Sequence, residues 1–287
     1  MTVIRSVDEL RGWLAGHDRA RHSVGLVPTM GFLHAGHASL IRRASGENDL
    51  VVVSDFVNPT QFGEGEDYAS YPRDLGHDEQ LAADAGADVV FAPGADEMYP
   101  AGAATLVEVT GEITHTLCGA SRPIHFRGVT TVVAKLLNVV GPDRIYFGQK
   151  DAQQAVVVAR MIRDLHIPVQ MVVCPIVRET DGLALSSRNS YLSAAERAQA
   201  PALHAGLQAA RRRFDSGERS VAALRETIRA TIESQPLARV EYVEVVDAHE
   251  LSAVERLEPG HPALAAVAVH FGHTRLIDNC LLAESED

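Results

Sequence analysis

Two histidines three residues apart, His34 and His37, follow the run Pro28-Thr29-Met30-Gly31-Phe32-Leu33, with Gly36 between them. At the first turn of a helix, residues at this spacing share a face and lie beside backbone N–H groups with no partner inside the helix, which attract anions. Two imidazoles there can donate hydrogen bonds to phosphate oxygens, and Gly36 leaves room for a nucleotide to approach. The chain has neither a Gly-x-x-x-x-Gly-Lys-Ser/Thr nor a Gly-x-Gly-x-x-Gly sequence, so any phosphates it binds need another cradle. Two other readings stay open: an imidazole that caps a turn, and a metal ligand, for which no third ligand is near in sequence.

Only Lys135 and Lys150 among 26 basic residues are lysine. Lysine is a compact charge on a flexible stem, suited to a site that must follow a moving phosphate, whereas arginine is a planar fork. Lys150 comes directly after an expected strand, where a parallel sheet collects anionic ligands. Ser186, Ser187 and Arg188 put two hydroxyls and a guanidinium into one loop, and motion of a smaller domain would close them over phosphates. The alternative is a helix-capping serine pair, but Ser193 is available for that role.

These groups need a scaffold, and the periodicity supplies one. Residues 23–28 form an apolar run ended by proline, and helical spacing begins after Gly31 with Leu33, His37, Leu40, Ile41 and Ala44. Strand signals recur at 50–57, 88–92, 144–147 and 169–173, and helical signals at 74–85, 130–140 and 152–165, preceded by a capping box at Ser6-Val7-Asp8-Glu9. This alternation predicts an α/β fold, a doubly wound parallel sheet over residues 1–176. Beyond it, a second capping box at Ser193 leads into one helical stripe of Leu203, Leu207, Ala210 and Phe214. Ser220 caps a further helix, and strands are expected at 240–246, 264–270 and 275–281, giving a smaller α+β domain over 177–287.

Hydrophobic residues make up 46% and charged residues 22% of the 287, enough for sizeable cores. The net charge of −12 argues against nucleic acid as a partner, since polyanion binding needs a basic face. Cys118, Cys174 and Cys280 are scattered and odd in number, reading as free thiols in a reducing compartment. The longest apolar run, 263–269, is far short of the roughly 20 residues that cross a bilayer, and no signal-peptide core opens the chain. A cytoplasmic protein is the expectation, with no membrane partner.

The stretch around His34 resembles the His-x-Gly-His signature of the nucleotidyltransferase superfamily. The fuller string Pro-Thr-Met-Gly-x-Leu-His-x-Gly-His is similar to the pantothenate synthetase family. So are Phe56-Val57-Asn58-Pro59-Thr60-Gln61-Phe62, Tyr71-Pro72-Arg73, His125-Phe126-Arg127-Gly128-Val129, Phe147-Gly148-Gln149-Lys150-Asp151-Ala152-Gln153-Gln154, Leu185-Ser186-Ser187-Arg188-Asn189 and Thr274-Arg275-Leu276-Ile277-Asp278-Asn279. The resemblance covers essentially the whole chain. It implies a Rossmann-like domain that binds ATP, and a ligase that joins pantoate to β-alanine through a pantoyl adenylate, with homodimeric assembly. It implies catalytic roles for His34, His37, Lys150, Ser186, Ser187 and Arg188. ATP contacts are implied at Met30, Gly36, His37, Gly148, Lys150, Asp151, Val177, Leu185, Ser187 and Arg188. Asp151 would accept hydrogen bonds from the ribose, and the 186–188 loop would be the counterpart of the mobile lysine-serine loop of class I aminoacyl-tRNA synthetases. Pantoate contacts are implied at Pro28, Met30, Asn58, Gln61 and Gln154; glutamine amides suit hydroxyls and a carboxylate, and Asn58 would orient the Gln61 loop.

Magnesium is expected with the triphosphate, and Asp78 best matches the family's position for a ligand. His77 stands where some relatives carry a second aspartate, and Asp55 where the family tends to have an aliphatic residue. Two alternatives remain in view. One is a nucleotidyltransferase of the phosphopantetheine adenylyltransferase type, which shares the histidine turn but not the Asn-Pro-Thr-Gln block or the second domain. The other is a catalytically silent nucleotide-binding protein.

Overall fold

Residues 50–53 are buried at every position, and a strand buried on both sides needs helices on both faces of its sheet. The computed structural model, which describes residues 1–283, has that arrangement. Strands β1 (Thr2–Ile4), β2 (Val24–Thr29), β3 (Leu50–Asp55), β4 (Val89–Phe91), β5 (Arg144–Gly148) and β6 (Gln170–Cys174) form one sheet in the order β1-β4-β3-β2-β5-β6, every pair parallel. Along the chain lie α1 (Val7–Ala15), α2 (Ala35–Glu47), α3 (Leu75–Asp84), the short α4 (Ala95–Met98) and α5 (Cys118–Ser121), α6 (His125–Val140) and α7 (Ala152–Asp164).

On one face of the sheet, Leu10 and Leu14 of α1 and Val129, Val133 and Leu137 of α6 bury Leu26, Val52 and Ile145. On the other, Leu40 and Ile41 of α2 and Ala82 of α3 cover Val27, Val51 and Val53. Strand β2 has β3 on one side and β5 on the other, so the chain winds outward from it in both directions. The carboxyl ends of β2 and β5 therefore flank the topological switch point, where such sheets take their ligands.

The second core is separate. Strands β7 (Ala238–Asp247), β8 (Ala263–Phe271) and β9 (Thr274–Leu282) form an antiparallel sheet, β7-β8-β9. Its buried face, with Val243, Val245, Val267 and Val269, packs on Leu203, Leu207 and Phe214 of α9 (Ala202–Asp215) and on Leu224, Ile228 and Ile232 of α10 (Val221–Glu233). The single helix expected after Ser193 is two, α8 (Ala194–Gln199) and α9, because Pro201 has no N–H to continue the first. No helix among the described residues is long and apolar enough to cross a membrane.

The chain divides into two compact units, but not at one point. The first holds Met1–Thr110, Arg122–Gln149 and Val157–Pro175; the second holds Gly111–Ser121, Lys150–Val156 and the residues from Ile176. The two short stretches join the second unit through buried polar contacts within it. Gln153 accepts from the Cys118 amide (2.9 Å) and donates to the carbonyls of Ile113 (3.0 Å) and Thr116 (2.8 Å), while Asn279 donates to the Lys150 carbonyl (2.9 Å).

Two departures from the expected elements have local causes. Strand β1 was not expected, since three residues are too few to show a period. Helix α6 starts at His125 rather than near residue 130, because a glycine inside a helix looks like a breaker in the sequence. Gly128 is there for room. A Cβ at this position would lie 2.6 Å from the Gln61 Cα and overlap the Thr60 carbonyl. Helix propensity alone would make Gly128→Ala stabilising by about 1 kcal/mol. The close approach reverses the sign: chemical denaturation should show a loss of roughly 1–3 kcal/mol, and an unchanged or higher midpoint would remove this account of the glycine.

Candidate active site

Strand β2 ends in a turn that the backbone does not adopt for free. Gly31 has φ 75° and Phe32 φ 49°, a left-handed pair in which a phenylalanine is strained. Two anchors hold it. Thr29 Oγ1 donates to the Ser54 carbonyl on β3 (2.6 Å) and accepts from the Gly31 amide (3.2 Å). Beyond the strained pair, Asp78 takes the Phe32 and Leu33 amides, each at 2.6 Å, and His77 Nε2 donates to the Leu33 carbonyl (3.0 Å).

The turn delivers His34 to the start of α2 as its N-cap, in extended backbone, so the two histidines are not both on the helix as the spacing suggested. His34 Nδ1 accepts from the Gly36 amide (3.1 Å), and His37 Nδ1 accepts from the His34 amide (3.3 Å). The rings stack with centroids 4.1 Å apart. This reciprocal cap settles the tautomer. A neutral imidazole has one acceptor and one donor nitrogen; with both Nδ1 atoms accepting, both protons sit on Nε2. Each ring is thus a neutral donor at a helix N-terminus. Capping and anion binding, two readings that competed in the sequence, are two ends of the same side chains.

Beside this turn Gln61 is buried, its Nε2 2.9 Å from the Met30 sulfur and its Oε1 accepting from Asn58 (3.1 Å). Asn58, expected among the pantoate contacts, is 1% exposed and its amide is fully engaged. It donates to the Gly128 carbonyl (3.1 Å) and accepts from the Thr60 amide (3.3 Å), Thr60 Oγ1 (2.9 Å) and the Tyr99 hydroxyl (2.8 Å). It therefore orients the Gln61 loop. His125 Nδ1 fixes the same loop by donating to the Gln61 carbonyl (3.0 Å). Pro28, at the end of β2, pairs in register with Ser54, and Gly148 closes β5 on the other side of β2.

Lys150 and Asp151 open a stretch of the second unit in the 3-10 turn Gln149–Asp151, and Lys150 Nζ is 3.6 Å from Asp151 Oδ1. Gln154, in the first turn of α7, is half-buried, whereas its neighbour Gln153 is buried and structural. Val177 and Leu185 face each other across a hairpin, the Leu185 amide donating to the Val177 carbonyl (3.0 Å). That hairpin runs into Ser186, which caps the 3-10 helix Ser187–Tyr191 by accepting the Arg188 amide (3.3 Å). The expected site residues thus divide between the units: Pro28, Met30, His34, Gly36, His37, Asn58, Gln61, Asp78 and Gly148 in the first, and Lys150, Asp151, Gln154, Val177, Leu185, Ser186, Ser187 and Arg188 in the second. Lys150 and Ser186 line one narrow cavity there, with Asn189 and Asp278.

Asp78 does not fit the role of a magnesium ligand. It is 1% exposed and both oxygens are occupied by backbone amides, so it holds the turn instead. No cluster of three or more His, Cys, Asp or Glu side chains suited to a metal occurs among the described residues. Asp55 at the end of β3 is hydrogen-bonded to Asp78. Burial first, then the neighbouring Asp78 charge, push the Asp55 carboxyl up to about 7. Burial also raises Asp78, against the pull of the Leu33 and Phe32 amides. Asp55 holds the proton because those amides favour charge on Asp78. The sequence showed Asp55 only as a departure without a role; its signal was a carboxyl at the end of a strand that opens on four apolar residues, Leu50 to Val53.

A family model described as pantoate-beta-alanine ligase matches residues 2–281 of the chain. The pantothenate synthetase of Moorella thermoacetica is 52% identical over 282 residues, 98% of this chain and 99% of that protein. That of Geobacter sulfurreducens is 51% identical over 286 residues, 100% of each chain. Among solved structures, pantothenate synthetase from Thermus thermophilus matches with a TM-score of 0.93 at 48% identity, over 99% of this chain and 100% of the other. A pantoate-beta-alanine ligase from Francisella tularensis, complexed with beta-gamma ATP and β-alanine, matches with a TM-score of 0.80 at 35% identity, over 98% of each.

Protonated Asp55 contributes stability that is complete below an unfolded carboxyl's value of roughly 4 and is lost as pH rises through the folded value of about 7. Asp55→Asn keeps a donor toward Asp78 and cannot ionise. Denaturation from pH 5 to 8 should show the variant gaining on the parent as pH rises, by on the order of 2 kcal/mol at pH 8, less than the full shift because Asp55 is only partly buried. Parallel pH profiles would mean that Asp55 ionises freely.

Proposed function

The chain belongs to the pantoate-β-alanine ligase family and joins pantoate to β-alanine with ATP, and we propose that it does so through a pantoyl adenylate, with catalytic roles for His34, His37, Lys150, Ser186, Ser187 and Arg188. The observation that carries this reading is the reciprocal cap of His34 and His37 at the start of α2, in which both Nδ1 atoms accept backbone amides, so that a neutral ring carries its proton on Nε2. Developing negative charge on transferring phosphate is what such donors stabilise.

In the first step a pantoate carboxylate oxygen attacks the α-phosphorus of ATP. The new P–O bond forms as the bond to the β-phosphate oxygen breaks, and pyrophosphate leaves. A carboxylate is already ionised at neutral pH, so no general base is required. Catalysis is then positioning and charge stabilisation. His34 and His37 donate from Nε2, Lys150 follows the phosphates on its flexible stem, and Ser186, Ser187 and Arg188 add hydroxyls and a guanidinium. Gln61, set by Asn58, and Gln154 address the hydroxyls and carboxylate of pantoate, between Pro28 and Met30 at the end of β2. Asp151 takes the ribose, and the backbone at Gly36, Gly148, Val177 and Leu185 borders the nucleotide. In the second step the β-alanine amine attacks the acyl carbon, the bond to the AMP oxygen breaks, and the nitrogen loses a proton as the amide forms.

Magnesium enters this reading as the counterion of the triphosphate, keeping its waters, and not as an ion held by Asp78. Homodimeric assembly and a cytoplasmic location, as implied by the family, are part of the same proposal.

Lys150→Ala should slow pantoate-dependent pyrophosphate release about 10²–10³-fold, the loss of one transition-state donor, while its melting temperature stays near the parent's. Near-normal pyrophosphate release would refute the role of Lys150. His34 allows a cap and a donor to be separated. His34→Asn keeps an acceptor for the Gly36 amide but loses Nε2–H, so stability should hold while pyrophosphate release falls; His34→Ala should lose both, at a cost of about 1 kcal/mol in stability. Equal activity in His34→Asn and the parent would leave the ring as a cap alone.

A further inference from the structure

Strand β9 breaks its own alternation. Successive side chains leave a strand on opposite faces, yet the adjacent Asp278 and Asn279 are each only 3% exposed. Two neighbouring buried polar groups need partners on both faces, and an unpartnered buried carboxylate is costly. Asp278 receives a two-pronged ion pair from Arg178, Nη1 to Oδ2 at 2.6 Å and Nη2 to Oδ1 at 3.0 Å. The same Arg178 donates to the Gly182 carbonyl (3.0 Å), closing the hairpin that ends in Leu185 and Ser186. Asn279 Nδ2 donates to the Lys150 carbonyl at 2.9 Å. The cavity lined by Lys150 and Ser186 has Asp278 in its wall.

We infer that Asp278 and Asn279 are positioning residues: Asn279 holds the turn that aims Lys150, and Asp278, through Arg178, holds the hairpin that carries Ser186, Ser187 and Arg188. This rests on the reading that those two segments engage ATP. Strands β8 and β9 pair along their whole length. Asn279 pairs in register with Ala266 and Asp278 with Val267, both in the buried centre of β8. A short 3-10 turn and a hairpin thus both take contacts from one dipeptide in a strand.

The test is a double-mutant cycle on the full chain, read as the steady-state kinetics of pantoate-dependent pyrophosphate release. Asn279→Leu fills the same space without a donor. It should lower kcat about 10–100-fold with the KM for ATP little changed, as expected for a misplaced catalytic group. Combined with Lys150→Ala it should cost nothing further, because Asn279 acts through that lysine. Arg178→Lys, which keeps charge but loses the fork, should instead raise the KM for ATP about 10-fold. If Asn279→Leu fails to unfold cooperatively, Asn279→Ala replaces it in the same cycle. Losses that multiply in the double variant, an unchanged kcat in the single one, or an unchanged KM in Arg178→Lys would overturn the inference. A harmless Lys150→Ala would instead overturn the reading beneath it.

Discussion

Two backbone amides at the start of α2, those of His34 and Gly36, decide what the site can do. By donating to the Nδ1 atoms of His37 and His34 they favour the neutral tautomer with its proton on Nε2. A ring protonated at Nδ1 would set a donor against a donor and break the cap. The histidines are therefore poor general bases in this setting and good hydrogen-bond donors, which suits chemistry whose nucleophile is already a carboxylate. The helix N-terminus adds the favourable end of its dipole for an anion.

The cap requires the strained turn before it, and that turn depends on buried acids. Gly31 tolerates its positive φ, but Phe32 is held there by Asp78, and Asp55 supplies the proton that lets two carboxyls share one pocket. A Cβ on Gly31 would collide with the Asp55 carboxyl, so glycine, strain and acid pair form one device. The second unit uses a different solution. There single polar side chains hold the short segments: Asn279 on the antiparallel ladder takes the Lys150 carbonyl, and Gln153 at the start of α7 takes the Cys118 amide and the Ile113 and Thr116 carbonyls.

Most of the fold was legible in the sequence, because strands covered on both faces and amphipathic helices leave strong periods. Five of the six strands of the parallel sheet and all three of the smaller sheet fall on apolar runs; β1 and the antiparallel pairing of the second sheet did not show in them. What escaped was set by contacts between distant residues. Gly128 reads as a helix breaker until Gln61 is seen against it, and Pro201 splits a stripe whose apolar spacing continues across the break. In the site, residue types were legible and their division of labour was not. Asn58 is expected both at pantoate and as the brace of the Gln61 loop, and its contacts are those of the brace; Asp78 is expected as a metal ligand and anchors the turn. An amide or carboxylate has the same appearance in sequence whether its partners are substrate or backbone.

The central claim is the tautomer of His34 and His37, and ¹⁵N NMR of the imidazoles measures it directly, with His34→Asn and His37→Gln assigning the signals among the 13 histidines. At neutral pH both rings should show an unprotonated Nδ1 and a protonated Nε2, and the Nε2 resonances should move when ATP is added. A protonated Nδ1 on either ring, or Nε2 signals indifferent to ATP, would contradict the account.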